Sequence, residues 1–356
     1  MSLPETMFGV VLNGHGGMEQ LEWREDLVVP QPNENEVLIQ VLASSVNNTD
    51  INTRVGWYSK SVRGSTASGV DTASASADLA DGGWSGNPLA FPLIQGADCC
   101  GTIVAVGANV PESRIGERVL VRALQCGTAD DPFSIWTFGS ECNGAFAQFA
   151  KTSAVHALPV QSNWSDAELA SLPCAYSTAE AMLQKISLKD EHVLITGASG
   201  GVGSAAIQLA KRRGAYITAM TNADKAEAIR AIGANQILDR NDAFPPDTFD
   251  AIVDVVAGPR WPDMLVALRR GGRYVTAGAI AGPIVELDVR TLYLHDLTLY
   301  GSTFQANNIL QDIIRYVERG ELEPLIAQEF KLKELRQAQE TFLEKKFIGK
   351  IVIRHT

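Results

Sequence analysis

The chain has 356 residues, 46% of them hydrophobic and 20% charged, enough apolar material for a core and enough length for two domains sharing a cleft. A net charge of −11 disfavours nucleic acid and anionic lipid as partners, because an acidic surface repels both. Cys99, Cys100, Cys126, Cys142 and Cys174 are odd in number and lack the spacing of a disulfide framework, which suits reduced thiols in the cytoplasm.

Met1 to Met18 lacks the basic-then-apolar order of a signal peptide, and no apolar run approaches a membrane span. Short strands are expected first, at Gly9 to Leu12, Glu36 to Leu42, Gly101 to Gly107, Arg118 to Val121 and Ala145 to Ala150. An all-β, partly barrel-like module through about residue 155 accounts for them. Within it, Ser59 to Asn87 is rich in Ser, Gly, Ala and Asp, has little to bury apart from Trp84, and reads as a mobile surface loop.

From Ser165 the apolar period becomes helical, at Ala167 to Leu172 and Thr178 to Gln184. His192 to Ile195 is a buried strand, followed by four glycines within seven residues and an apolar helical pattern from Ser204 to Lys211. Strand, glycine turn and helix in that order are the context of a dinucleotide-binding fingerprint. Here the first glycine of the usual pattern is Ala198, then Ser199, Gly200, Gly201, Val202 and Gly203. Gly200 lets backbone approach a pyrophosphate, Gly203 lets helix pack on strand, and the helix N-terminus faces the phosphates.

Alternating units follow: strands Tyr216 to Met220, Gln236 to Leu238, Ala251 to Val256, Arg273 to Ala277 and Leu297 to Tyr300, with helices Ala223 to Ile232 and Trp261 to Leu268. Six strands alternating with helices predict a doubly wound parallel sheet, hence an α/β fold. The tail is helical at Asn307 to Arg319 and Leu332 to Lys345, and its last strand, Lys350 to Ile353, is expected to return to the β module.

These features resemble the medium-chain dehydrogenases/reductases. The likeness rests on Ser45-Val46-Asn47-Asn48-Thr49-Asp50-Ile51-Asn52, Gly96-Ala97-Asp98 with Gly101, Ile115-Gly116-Glu117-Arg118-Val119, Gly144-Ala145-Phe146-Ala147, the glycine turn, and Gly349-Lys350-Ile351-Val352. It covers almost the whole chain except residues 59–87. It implies a GroES-like β-barrel domain, residues 1–160 and 306–356, and a Rossmann domain, residues 161–305, with the active site between them. The three catalytic zinc positions of the family's alcohol dehydrogenases fall here at Asn47, Ala97 and Cys174, with Asp98 as the acidic neighbour. One thiol of three cannot hold a catalytic zinc. The four closely spaced cysteines of the family's structural zinc are also missing, since only Cys126 and Cys142 lie between Val121 and Ala147.

Without zinc, the chain is similar to the quinone oxidoreductase and enoyl reductase branch, which passes hydride from NADPH to a conjugated carbonyl compound or quinone. That resemblance makes Tyr58, in Gly56-Trp57-Tyr58, either the proton donor or an aromatic wall of the pocket. Asn47 is expected to orient substrate or the nicotinamide ribose, and Thr49 occupies the proton-relay position. The second strand ends Ala219-Met220-Thr221-Asn222 without the carboxylate that NAD-preferring domains place there. NADPH is therefore expected over NADH, its 2′-phosphate meeting Lys225 and Arg240 with Thr221 and Asn222 as donors. Val255-Val256, Ala277-Gly278-Ala279 and Ser302-Thr303-Phe304 are expected to line the nicotinamide crevice, and the apolar edge strand to pair with a second subunit. Alcohol or aldehyde oxidoreduction, and nucleotide binding with little turnover, remain as alternatives.

Overall fold

The computed structural model describes residues 3–66, 79–126 and 134–355. Its N-terminal and C-terminal parts share one seven-stranded sheet, built on Glu36–Val46. That strand pairs antiparallel with Cys100–Val106, Phe149–Ser153 and Lys350–Arg354, so the chain's last strand does return to the β module. Ile326–Lys331, which the apolar pattern missed, lies parallel beside Lys350–Arg354. A smaller sheet of Leu21–Val28, Thr6–Leu12 and Leu93–Ile94 closes the barrel-like side. The strand expected over Ala145 to Ala150 instead spans Phe149–Ser153. Residues ahead of it form a buried loop, because Gly144 lies where a Cβ would stand 2.4 Å from the Gly139 Cα and the Gly96 carbonyl oxygen.

The second sheet has six parallel strands in the order Gln236–Asp239, Tyr216–Thr221, His192–Ile195, Phe249–Asp254, Leu268–Thr276, Thr298–Gly301. This is the doubly wound order, with the strand direction of travel reversing between His192–Ile195 and Phe249–Asp254. Val193, Leu194 and Ile195 are fully buried because helices cover both faces of a parallel sheet. The helix expected over Trp261 to Leu268 stops at Val266, and Leu268 already opens the next strand. A further helix, Val289–Leu294, carries exposed apolar residues that give no helical core stripe to read.

The helix Pro173–Lys185 joins the two sheets. Its Ala175, Tyr176, Ala179 and Met182 share one core with Ala43, Cys100, Leu120 and Val352 of the β module and with Val193, Ile195 and Ala206 of the parallel sheet. A continuous apolar core of this kind holds the crevice between the sheets at a set width.

Candidate active site

The glycine turn is built by close approach. A Cβ at Gly203 would stand 2.2 Å from the Gly197 carbonyl oxygen, so only glycine lets the helix Gly201–Arg212 sit on the strand before it. Gly197 itself has φ +57, in the left-handed region. Gly200 caps the helix, and Ser199, Gly200, Gly201 and Val202 are half-exposed at its mouth while Ala198 is buried beneath. The first N–H groups of such a helix have no partner within it and face outward, as a pyrophosphate requires. The donor set and the cradle fit a dinucleotide.

At the end of the second strand, Thr221 is buried and the Asn222 Oδ1 accepts from the Arg240 Nε. Asp224 is exposed on the following turn. Lys225 lies elsewhere than its sequence position suggests. Its Nζ donates to the carbonyl oxygens of Lys345 at 2.7 Å and Phe347 at 3.1 Å, with the Ser199 Oγ at 3.4 Å. Burial holds its pKa below the usual lysine range. Lys225 thus ties the C-terminal loop to the glycine turn, beside the Gly349 N–H that donates to the Ser199 carbonyl at 3.0 Å. Its hydrogens are taken, whereas Arg240 at the end of the next strand is exposed.

The crevice lies where the parallel strands end. The Val256 N–H donates to the Asp254 carboxylate at 2.9 Å, and the Gly278 N–H reaches the Thr276 hydroxyl at 3.4 Å. Ala277, Ser302 and Thr303 line a small cavity together with Trp84 and Thr178. The insert is therefore not a free loop at its described ends. Thr66 donates its backbone N–H to the Ile280 carbonyl at 3.1 Å, and Trp84 sits over the strand ends. Residues 67–78, the middle of the expected surface loop, lie outside the described residues.

Opposite the crevice, Asn47 precedes the helix Asn48–Val55 and donates its backbone N–H to the Asp50 carboxylate at 2.7 Å. That helix ends at Gly56, whose φ of +70 turns the chain back on itself. The reversal brings the Tyr58 hydroxyl onto Thr49, to which it donates at 3.0 Å. Burial pushes the phenol up to about 12, against the hydrogen bonds to Thr49 and Asn52 that lower it. Tyr58 therefore keeps its proton through the neutral range.

Asn47 turns its side chain into a buried polar cluster. Its Nδ2 donates to the Asp98 Oδ2 at 2.7 Å, and its Oδ1 accepts from the Lys350 Nζ. Both ends of the amide are spent on a buried ion pair, Lys350 Nζ to Asp98 Oδ2 at 3.0 Å. The other Asp98 oxygen accepts the Cys174 backbone N–H at 2.7 Å. Lys350 was visible only as part of a motif, because the 252 residues separating it from Asp98 hide the pairing. The same cluster tests the zinc question. Ala97 offers no donor atom, the Asn47 amide oxygen is taken by an ammonium, and burial holds the Cys174 thiol well above its usual range, hence protonated. This donor set does not fit zinc, which binds cysteine as thiolate.

Fold and site together define a two-domain nicotinamide-type oxidoreductase. Residues 33–162 match the alcohol dehydrogenase GroES-like domain, and residues 201–319 match the family described as zinc-binding dehydrogenase. A solved structure from Sinorhizobium meliloti 1021, assigned as an alcohol dehydrogenase, is 39% identical, covers 99% of this chain and 97% of that one, and superposes with a TM-score of 0.88. Acryloyl-coenzyme A reductase of Metallosphaera sedula is 23% identical, over 98% of this chain and 99% of its own. Human quinone oxidoreductase is 26% identical, over 92% and 91%. The chain belongs to the medium-chain dehydrogenase/reductase superfamily.

Removing one partner of a buried ion pair leaves the other charge uncompensated. Lys350→Met should cost about 3–5 kcal/mol of stability in urea unfolding. Adding Asp98→Asn should restore much of it; a single variant as stable as wild type would show that the pair carries no such weight.

Proposed function

We propose that the protein is an NADPH-dependent, zinc-independent reductase acting on a conjugated carbonyl compound or quinone. The observation that carries this reading is Tyr58, a protonated phenol hydrogen-bonded to Thr49 and in ring contact with Trp84 beside the strand-end crevice. The names of the acryloyl-coenzyme A and quinone relatives support the same substrate chemistry. When bound, the reduced nicotinamide supplies a hydride to the β-carbon of the substrate.

The chain's own residues do the rest. The glycine turn holds the pyrophosphate through the helix N-terminus. Electrons from the double bond collect on the carbonyl oxygen as an enolate, which must then be protonated. The Tyr58 O–H bond breaks as the α-carbon gains its hydrogen, and the phenolate takes a proton back from the Thr49 hydroxyl, itself restored from water. A phenol held at about 12 is ionised only in strong alkali, so turnover should not fall with Tyr58 ionisation between about pH 6 and 9.

We further infer a homodimer in the cytoplasm. Thr298–Gly301 is the outer strand of the parallel sheet, and a 270 Å³ cavity opens between it and the Ala279–Val285 segment. Ile284, Leu287, Val289, Tyr293 and Leu294 are exposed nearby in sequence, and an open edge flanked by apolar side chains suits a second copy pairing about a two-fold axis. A mass of 38.3 kDa in sedimentation, that of one chain, would remove the dimer.

Tyr58→Phe should lower turnover on enones about 10²–10⁴-fold while NADPH affinity stays within error, because the ring still fills its space. Assays of both proteins in EDTA should give the same ratio. Near-wild-type turnover in the variant would reduce Tyr58 to a wall of the pocket.

Arg240→Ala should weaken NADPH binding by about 1.5–3 kcal/mol and leave NADH unchanged, since only the 2′-phosphate loses a charge-assisted partner. Lys225→Ala should weaken both cofactors alike, because it releases the C-terminal loop from the glycine turn. The reverse pattern, measured by titration of nicotinamide fluorescence, would make Lys225 the phosphate ligand.

A further inference from the structure

Lys345 occupies a backbone position that disfavours any side chain. It follows the helix Leu335–Glu344 with φ +54, in the left-handed region that glycine adopts freely and other residues resist. Its side chain folds back over that helix. The Nζ stands 3.5 Å from the centre of the Phe342 ring and donates to the Asn48 Oδ1 at 3.5 Å.

Two sides of the cleft meet at this residue. The Lys345 carbonyl oxygen accepts from the Lys225 Nζ, the ammonium that also reaches the Ser199 Oγ in the glycine turn. On the other side, Asn48 follows Asn47, whose amide accepts from the Lys350 Nζ, and the Lys350 stem runs against Gly201. Lys345 and Lys225 therefore bring two ammoniums to the mouth of the helix Gly201–Arg212. Among the described residues no carboxylate pairs with either. Asp224 and Arg240 act on Lys225 with opposite sign, Asn48 is neutral, and the flanking Glu344 and Lys346 pair with each other at 3.1 Å. Lys345 is exposed as a residue, yet desolvation of its ammonium and the Lys225 charge push its pKa down to about 7. Positive charge is concentrated here without an anion to balance it.

We propose that Lys345 is a ligand of the cofactor's diphosphate, reaching it from the C-terminal loop opposite the glycine turn. The proposal rests on the dinucleotide reading of that turn and is independent of which substrate is reduced. The helix N-terminus supplies N–H groups from one side, and Lys345 adds a full charge from the other. The tie made by Lys225 then has a consequence for binding, since it holds the loop that carries the ligand. An anion beside the two ammoniums relieves their repulsion and favours the protonated lysine, so binding above neutral pH takes up a proton.

ADP-ribose is the probe, because it keeps the diphosphate and lacks both the nicotinamide and the 2′-phosphate. Its binding to the full chain is measured by calorimetry. Lys345→Gly removes the ammonium and suits the left-handed backbone, so the fold is kept. This variant should bind ADP-ribose at pH 7 about ten-fold more weakly or worse, NADH and NADPH by the same factor, and adenosine unchanged. Wild-type affinity for ADP-ribose should fall between about pH 7 and 9 toward the Lys345→Gly value. Lys345→Arg should show no such fall, because a guanidinium stays charged throughout. Equal ADP-ribose affinity in wild type and Lys345→Gly overturns the role. So does a loss confined to NADPH, which would place Lys345 at the 2′-phosphate instead. Wild-type protein that binds no ADP-ribose overturns the dinucleotide reading itself. The expected ADP-ribose pattern with no enone or quinone reduced leaves Lys345 in its role and overturns only the reductase reading.

Discussion

The ion pair between Lys350 and Asp98 is the interaction on which the architecture depends. Lys350 comes from the last strand, Asp98 precedes the strand Cys100–Val106, and the helix Pro173–Lys185 enters with the Cys174 N–H on the same carboxylate. The lysine stem also fixes the other side of the cleft: a Cβ at Gly201 would stand 2.8 Å from the Lys350 Cδ. Glycine at 201 therefore serves two masters, the phosphate mouth of the helix and the passage of this side chain. A charge pair fully removed from water is stable only when its remaining hydrogen-bonding capacity is met, and Ser45, Asn47 and Cys174 meet it for Asp98.

The same cluster explains why an ammonium, rather than a metal, supplies positive charge beneath the site. Asp98 follows Ala97, which has no side-chain donor, and the Asn47 amide is bound to Asp98 and Lys350, so neither offers a metal a free side-chain ligand. Asn47 is instead the bridge between carboxylate and ammonium. On the other side of the crevice, the short helix Asn48–Val55 and its left-handed Gly56 place Tyr58 against Thr49. Burial keeps that phenol protonated through the neutral range, the starting state any proton donor requires.

Closure of the cleft is shared by two contacts far apart in the chain. Lys225 binds the C-terminal loop to the nucleotide turn, and Thr66 binds the insert to the loop after the fifth parallel strand. Both use backbone carbonyls as acceptors, so neither depends on the identity of the partner side chain.

Much of this was legible along the chain wherever the cause is local. The strand His192–Ile195, the turn to Gly203 and the helix after it follow from apolar period and from glycine's lack of a Cβ, and the parallel sheet follows from the alternation of units. The missing carboxylate after Thr221 and the missing zinc donors at Asn47 and Ala97 are likewise facts of residue identity. Residue identity does not say where a long side chain ends up. Lys225 reads as a surface cation at a phosphate site, yet its ammonium turns inward to Lys345 and Phe347, some 120 positions later. Asn47 reads as a group facing substrate, yet Lys350 and Asp98 claim it. Trp84 reads as a stray aromatic in a polar run, yet anchored backbone carries it to the strand ends. Sequence determined the parallel sheet, several strands of the β module and the glycine turn, because hydrogen-bond geometry and steric limits act between near neighbours. Tertiary structure alone decided which polar groups face the cleft, because burial forces each charge and amide to find partners that only the completed fold brings within 3 Å.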